Sequence, residues 1–244
     1  INIADGTYSE SLNIYLSLSL AGESEEGVII DAHAFADYGI DAAGDYTTSF
    51  SNFTLIGPNA NTYGLKVSGE NAVTTISNVT VRDSGRSGID LNGLIGGTLT
   101  DITLMNNGGV GLALTDSSNI TVNSITTTGN GWGGMAIFTG GEDHAAGSDN
   151  ITLAGTNSFE EATKFYIQEH LGVPVTNLHQ TDFGFSVENP IAAPGSIGFY
   201  YTQLEATNVA LMAPGSVITN LGDNSLLVVP GMSIQAAINA ATPG

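Results

Sequence analysis

The sequence lacks cysteine and has very few basic residues. The absence of cysteine among 244 residues excludes a disulfide framework and a thiolate metal site. Only four Lys and Arg residues stand against 24 acidic residues, so the formal net charge is −20 at pH 7. A charge of this sign repels phosphate backbones and anionic lipid surfaces, and we therefore expect no nucleic acid partner.

Long apolar stretches are also missing. No segment reaches the ~18 apolar residues that a membrane-spanning helix needs, and no basic region precedes an apolar run as it does in a signal peptide. We therefore expect no membrane insertion, and an export signal, if there is one, lies outside this segment. The 32 glycines indicate instead many short strands and turns.

The main positive feature of the sequence is an internal repeat. The segments "NVTVRDSGRSGIDL" from Asn78, "DITLMNNGGVGLAL" from Asp101 and "SITTTGNGWGGMAI" from Ser124 begin 23 residues apart and share their apolar and glycine positions. Flanking units are predicted at Asn52 and Asn150, each 26 residues from its neighbour. Two columns of glycine are predicted to stack: Gly85, Gly108 and Gly131, and Gly88, Gly111 and Gly134.

Each repeat carries three short alternating segments separated by turn residues. Strands of this length, with apolar residues at every second position, are typical of one rung of a parallel β-helix. We therefore predict an all-β fold, a parallel β-helix with three strands per rung and 20–26 residues per rung. The segment "SFEEATKFYIQEHLG" reads either as a helix capped by Ser158 and Glu161 or as a further coil with a strand at "KFYI", and we favour the coil.

The last element of the chain is predicted to be a short helix from Ser233 to Ala241. Ser233 can cap it, and Pro243–Gly244 can end it. A helix of about nine residues is not stable alone, so its apolar face has to be buried against another surface. The predicted organisation is a β-helix over residues 1–231 and a capping helix and turn over 232–244. The apolar face consists of Ile234, Ala237, Ile238 and Ala241.

The end of the chain followed by its beginning reads "IQAAINAATPG" and then "INIADGTYSESLNI". This order resembles the N-terminal cap and first coil of bacterial right-handed β-helix domains of the pectate-lyase-like superfamily, and it resembles tandem modules of large bacterial surface proteins. The resemblance implies a right-handed coil and a helix that closes the N-terminal mouth of the coil after it. Because the two parts lie at opposite ends here, we expect the helix to dock head to tail on Ile1 and Ile3 of a neighbouring copy.

Basic residues gather in one place, the segment "VRDSGRSGIDL", which contains Arg82, Asp83, Arg86 and Asp90. β-Helix lyases and epimerases need a cation near the base that removes a proton from a uronate, and these four residues are the candidates for such a site. They also fit a surface ion-pair group of little energetic value. The stretch "YGIDAAG" from Tyr38 matches only half of the epimerase motif "YGxDPH" and lacks its histidine, so we expect no catalytic residues.

A glycine-rich segment and one tryptophan are the remaining candidate ligand sites. Glu142, Asp143 and Asp149 in "GGEDHAAGSDN" could hold Ca²⁺ through carboxylate oxygens, or could form a solvated loop. We expect no other cofactor. Trp132 lies at a turn equivalent to Arg86 and could offer a stacking surface to an extracellular polysaccharide.

These features favour a structural or adhesive module of a secreted bacterial fibre or surface protein, located outside the cell or on its surface. The alternatives are a polysaccharide lyase or C5-epimerase acting on uronate polymers, and a non-catalytic carbohydrate-binding β-helix. The fold alone does not choose between them.

Overall fold

The computed structural model describes residues 1–139, 148–161, 165–169, 175–180, 218–220, 226–227, 234–235 and 238. Within these residues the chain consists almost entirely of short β-strands joined by turns. The strands are β1 Asn2–Ile3, β2 Gly6–Tyr8, β3 Leu12–Ile14, β4 Leu18–Gly22, β5 Val28–Asp31, β6 Ile40–Ala43, β7 Thr47–Ile56, β8 Leu65–Ser68, β9 Val73–Arg82, β10 Ile89–Asn92, β11 Gly96–Met105, β12 Val110–Thr115, β13 Ser118–Thr128, β14 Gly133–Thr139, β15 Ser148–Ala154, β16 Ser158–Phe159, β17 Phe165–Glu169, β18 Val175–Gln180, β19 Ile218–Asn220 and β20 Leu226–Leu227.

The strands form two sheets that wind together as a parallel β-helix. The smaller sheet, called sheet B, runs in the order β17-β14-β12-β10-β8-β6-β3, with one strand for each turn of the coil. The larger sheet, called sheet A, holds the other strands. Neighbours pair in parallel in both sheets, except for the β19 and β20 pair. The predicted all-β parallel β-helix is therefore confirmed, including a strand at Phe165–Glu169 where the coil reading placed one.

The predicted register of the central repeats is confirmed. Ile102 lies between Val79 and Ile125 in neighbouring strands, as the 23-residue spacing requires. Phe53 pairs with Val79, so the unit that begins at Asn52 is also in its predicted place. Inward side chains at these positions repeat as Val, Ile, Leu or Phe, and burying each one contributes roughly 1.5–3 kcal/mol.

The unit predicted to begin at Asn150 is wrong in register. Asn150 does not lie above Ser124, because its neighbour Ile151 pairs with Ile120. The cause is the connection between β14 and β15, which contains the eight residues 140–147, whereas only two residues join β12 to β13. Rung length consequently rises to 30 residues between Met135 and Phe165, beyond the predicted 20–26.

Each long strand of sheet A bends at one residue, which produces the third face of the coil. The bends occur at Asn52, Asn78, Asp101 and Ser124, whose φ angles are 58°, 52°, 53° and 64°. Asn and Asp tolerate this left-handed backbone better than most residues because a short polar side chain can bond locally. The bends divide the strands into two straight halves, so the predicted three strands per rung are confirmed.

A ladder of buried polar side chains runs along the inside of the coil. The Ser84 backbone N–H donates to Asn107 Oδ1 at 3.0 Å, and the backbone N–H and Nδ2 of Asn107 both donate to Asn130 Oδ1, at 3.0 and 2.9 Å. Asn130 Nδ2 donates in turn to Glu161 Oε1 at 2.6 Å, and the Thr127 hydroxyl donates to Glu161 Oε2 at 2.6 Å. The ladder satisfies backbone groups that the turns leave free.

The described residues of the C-terminal segment agree with the predicted helix. Ile234, Gln235 and Ile238 have helical backbone, while Ala237 and Ala241 lie outside the described residues. The boundary between residues 231 and 232 stays a prediction. Among the residues that the structure describes, no helix is long and apolar enough to cross a membrane.

Candidate functional site

The turn before β10 brings Arg86 between two aromatic rings from other turns of the coil. The Arg86 guanidinium lies 4.9 Å from the centre of the Tyr63 ring and 5.7 Å from the centre of the Trp132 ring. Both distances are within the range of cation–π attraction. Trp132 is 50% exposed, so one end of this arrangement is open to solvent.

Arg86 and Trp132 can touch only because glycine occupies the turn between them. The Gly109 N–H donates to the Arg86 carbonyl at 2.9 Å, and the Trp132 N–H donates to the Gly109 carbonyl at 3.1 Å, so the three residues stack on successive turns. A Cβ atom at Gly109 would lie 2.8 Å from Ser87 N and 3.0 Å from the Arg86 carbonyl carbon. No side chain fits there, which leaves Trp132 free to reach back.

Two further aromatic residues and a lysine extend this arrangement toward the N-terminus. The rings of Tyr38 and Tyr63 stack with their centres 5.8 Å apart and their planes 26° apart. Lys66 Nζ lies 5.2 Å from the first ring centre and 5.7 Å from the second. We call the set of five residues, Tyr38, Tyr63, Lys66, Arg86 and Trp132, the aromatic–cationic row.

Carboxylates flank Lys66 on both neighbouring strands of sheet B. Asp41 of β6 and Asp90 of β10 occupy the same register position as Lys66 of β8. Burial raises the pKa of the Asp41 carboxyl; the nearby Lys66 ammonium opposes this effect and Asp37 adds to it. Asp41 therefore partly offsets the charge of Lys66, and Arg86 is the less compensated of the two cations.

Replacing Asp41 with asparagine should stabilise the protein more at neutral than at acidic pH. The folded state holds the Asp41 proton more tightly than the unfolded chain does, so its contribution to stability is lost as the pH rises above about 4. Urea unfolding of Asp41→Asn and the parent protein at about pH 4 and about pH 7 measures the difference. A variant that gains as much at the acidic pH as at the neutral one would contradict the assignment.

The candidate catalytic residues do not come together as one site. Arg82 forms an ion pair with its neighbour Asp83, at the end of β9. Asp90 is only 2% exposed, so its carboxylate does not lie at the surface. Of the four residues, only Arg86 enters the aromatic–cationic row.

The candidate calcium ligands can be placed only in part. Glu142 and Asp143 lie outside the described residues, and Asp149 is half-buried on β15. In the described part of the chain, no group of three or more His, Cys, Asp or Glu side chains could hold a metal ion. Calcium binding at residues 140–149 stays a prediction.

The first coil leaves an apolar pocket open at the N-terminal end of the molecule. The pocket has a volume of about 400 Å³. Ile1 at its rim is 72% exposed, and Ile3 is partly buried. The aliphatic residues that line this N-terminal mouth are Ile1, Ile3, Leu12, Ile14, Leu18, Leu20 and Ile30.

This coil of parallel strands defines the molecule as a β-solenoid, and comparison with known families agrees. Residues 38–179 match the family described as right-handed beta helix region, which is more than half of the chain. The chain belongs to this right-handed β-helix family, and the right-handed coil implied by its resemblances is confirmed. Comparisons with curated proteins and with solved structures found no significant match.

Sequence reasoning identified Arg86 and Trp132 but missed Tyr38, Tyr63 and Lys66. A signal was present, since "YGID" from Tyr38, "YGLK" from Tyr63 and "SGID" from Ser87 are one pattern on three successive turns. Aligning them would have placed the two tyrosines together and put Lys66 beside Asp41. The ring contacts of Arg86 depend on side-chain directions at a turn, which the pattern does not contain.

Proposed function

We propose that this protein is a non-catalytic structural or adhesive module of an extracellular or bacterial surface protein, and that its copies join end to end. The open apolar mouth of the first coil carries this proposal. A pocket of about 400 Å³ lined by aliphatic side chains is a surface that proteins usually cover.

The backbone at the mouth also favours a partner. β3 is the last strand of sheet B in that direction, and β1 is the terminal strand along the main path of sheet A. Terminal strands offer unpaired N–H and C=O groups to a further chain segment. Apolar and hydrogen-bonding surfaces therefore occur together at this end.

We propose that the covering segment is the helix around Ile234 and Ile238 of a second copy. These two side chains lie one helical turn apart and are 69% and 59% exposed. A short helix with an exposed aliphatic face needs a receiving surface, and the aliphatic mouth is one of matching chemistry. The interface is proposed to comprise Ile234, Ala237, Ile238 and Ala241 on one copy, and Ile1 and Ile3 on the other.

Replacing both Ile234 and Ile238 with aspartate should weaken association by roughly a hundredfold or more, because two buried isoleucines contribute at least about 3 kcal/mol. Both residues are exposed, so the fold should not change. Sedimentation velocity over a wide range of protein concentration measures the association. We expect concentration-dependent assemblies from the parent protein and monomers from the double variant.

The matched control for this experiment is Ile95→Asp. Ile95 is 47% exposed and lies between β10 and β11, far from both ends of the coil. Its replacement should leave association unchanged. A parent protein that stays monomeric at all concentrations, or a control that dissociates equally, would rule out docking through the helix and the mouth.

The lyase or epimerase alternative has less support. It needs an accessible base beside a cation, but Asp83 pairs with Arg82 and Asp90 is buried. Release of unsaturated uronates from alginate or pectin would restore this alternative.

A second candidate function, non-catalytic carbohydrate binding, is favoured by the aromatic–cationic row. Exposed aromatic rings beside hydrogen-bond donors suit sugars, whose C–H groups pack on rings and whose oxygens accept hydrogen bonds. Retardation of the protein in gels containing dissolved polysaccharides tests this function directly.

A further inference from the structure

We propose that the aromatic–cationic row binds a carboxylated glycan chain that lies along the axis of the coil, with Arg86 pairing to a sugar carboxylate. This inference rests on the second candidate function, carbohydrate binding, and it adds the class and the direction of the ligand.

Arg86 lacks the partners that an arginine in such an acidic chain would normally have. Its Nε atom is buried and has no hydrogen-bond acceptor. The ion pair that the described residues form joins Arg82 to Asp83 and leaves Arg86 out. A guanidinium offers donors in a planar fork that matches a carboxylate, and an unpaired buried donor is costly. An anionic ligand would supply the missing acceptor.

The rings on either side of Arg86 provide packing surfaces for a sugar. Tyr63 and Trp132 approach the guanidinium from opposite directions along the coil, at 4.9 and 5.7 Å. A pyranose packs its C–H face on an aromatic ring while its hydroxyl and carboxylate groups stay at the edge. With Arg86 between two such rings, a carboxylate can reach the guanidinium while adjacent sugars contact the rings.

The length of the row indicates a chain and not a single sugar. Tyr38, Tyr63, Arg86 and Trp132 lie on turns one, two, three and five of a series whose fourth member is Gly109. Strand spacing of ~4.8 Å makes the row about 19 Å long, which a monosaccharide cannot span. A glycan that runs parallel to the axis contacts all of these residues, whereas one that crosses the axis contacts one or two.

The overall charge of −20 opposes such a ligand at long range. At physiological ionic strength the Debye length is ~8 Å, so most of the acidic residues are screened from the ligand. A contact pair with Arg86 lies well inside that distance and keeps most of its attraction. Binding should therefore be measured at moderate salt.

The test compares carboxylated, sulfated and neutral polysaccharides by affinity gel electrophoresis of the whole chain. Polygalacturonate and alginate should retard the parent protein, while dextran should not. Arg86→Gln should weaken this binding at least about tenfold, because it removes a charge-assisted pair. Trp132→Ala should weaken it roughly three- to tenfold through lost packing.

Arg82→Gln is the matched control, since Arg82 belongs to the same turn but pairs with Asp83. It should bind as the parent does, and circular dichroism should show all variants folded. Equal losses in Arg82→Gln and Arg86→Gln, or retardation by dextran sulfate alone, would overturn the carboxylate assignment. Dextran binding that needs Trp132 but not Arg86 would overturn it while leaving carbohydrate binding intact, and no binding to any glycan would remove both.

Discussion

Replacing Asn130 with alanine is expected to lower the free energy of unfolding by roughly 3–5 kcal/mol. Asn130 is only 6% exposed, and its side chain occupies the centre of the buried ladder. Oδ1 accepts two hydrogen bonds from Asn107, and Nδ2 donates to the Leu104 carbonyl at 3.0 Å and to Glu161. Alanine leaves all of these groups without a partner in a dry interior, and each unsatisfied group costs about 1–3 kcal/mol.

Urea unfolding followed by circular dichroism measures this loss, with Asn59→Ala as the control. Asn59 is exposed and contributes a backbone N–H to a hydrogen bond with His33, which alanine keeps. Its replacement should change the unfolding free energy by less than about 0.5 kcal/mol. If both alanine variants unfold at the same urea concentration as the parent, the ladder does not stabilise the coil.

The strand register could be predicted because the core repeats one requirement on every turn. Ile89, Leu112 and Met135 share one column, and a shift by one residue in any strand would turn its apolar side chains toward solvent. Apolar periodicity therefore contains the register wherever the turns have constant length. The stacked glycines follow the same rule, since each meets a backbone atom of a neighbouring turn.

The error at Asn150 shows where this reasoning stops. "NITLAG" from Asn150 and "NFTLIG" from Asn52 look alike, yet Asn150 Nδ2 bonds to Asn119 Oδ1 at 2.8 Å, one face earlier than predicted. Local similarity identifies a strand but does not measure the turn before it. An insertion in one turn moves every later residue by the same amount.

Glu161 was missed for a related reason. The capping-box reading pairs it with Ser158 on a helix, but its carboxylate accepts hydrogen bonds from Thr127 and Asn130 inside the coil. It lies 31 residues beyond Asn130, a spacing that the 23-residue repeat does not contain. A buried acid in place of a third asparagine is visible only when the long turn has been placed.

The candidate site was predicted less completely than the fold, because it depends on what projects outward. Inward positions are restricted to a few aliphatic residues, whereas outward positions accept almost any polar residue. The contact between Arg86 and Trp132 also depends on Gly109, whose missing side chain is not a chemical signal by itself. The sequence therefore identifies single candidates, and the three-dimensional structure groups them.

Replacing Gly111 with alanine is expected to destabilise the coil by roughly 2–3 kcal/mol through overpacking. A Cβ atom at this position would lie 2.6 Å from the carbonyl oxygen of Gly134 on the next turn and 3.0 Å from Asn130 Nδ2. It would also lie 3.1 Å from Thr127 Cγ2. None of these atoms can move freely, because Asn130 is held in the ladder, Gly134 lies within β14 and Thr127 within β13.

The neighbouring strand offers a matched control in Gly96→Ala. A Cβ atom at Gly96 would meet only Val73 methyl groups, at 3.7 and 3.8 Å, which is ordinary contact. The alanine then restricts the unfolded chain without strain, and it should be neutral or stabilising by up to about 1 kcal/mol. Thermal and urea unfolding of the two variants should therefore move in opposite directions or differ by at least about 2 kcal/mol. Equal stability of the two would mean that successive turns are not held as closely as the stacked glycines indicate.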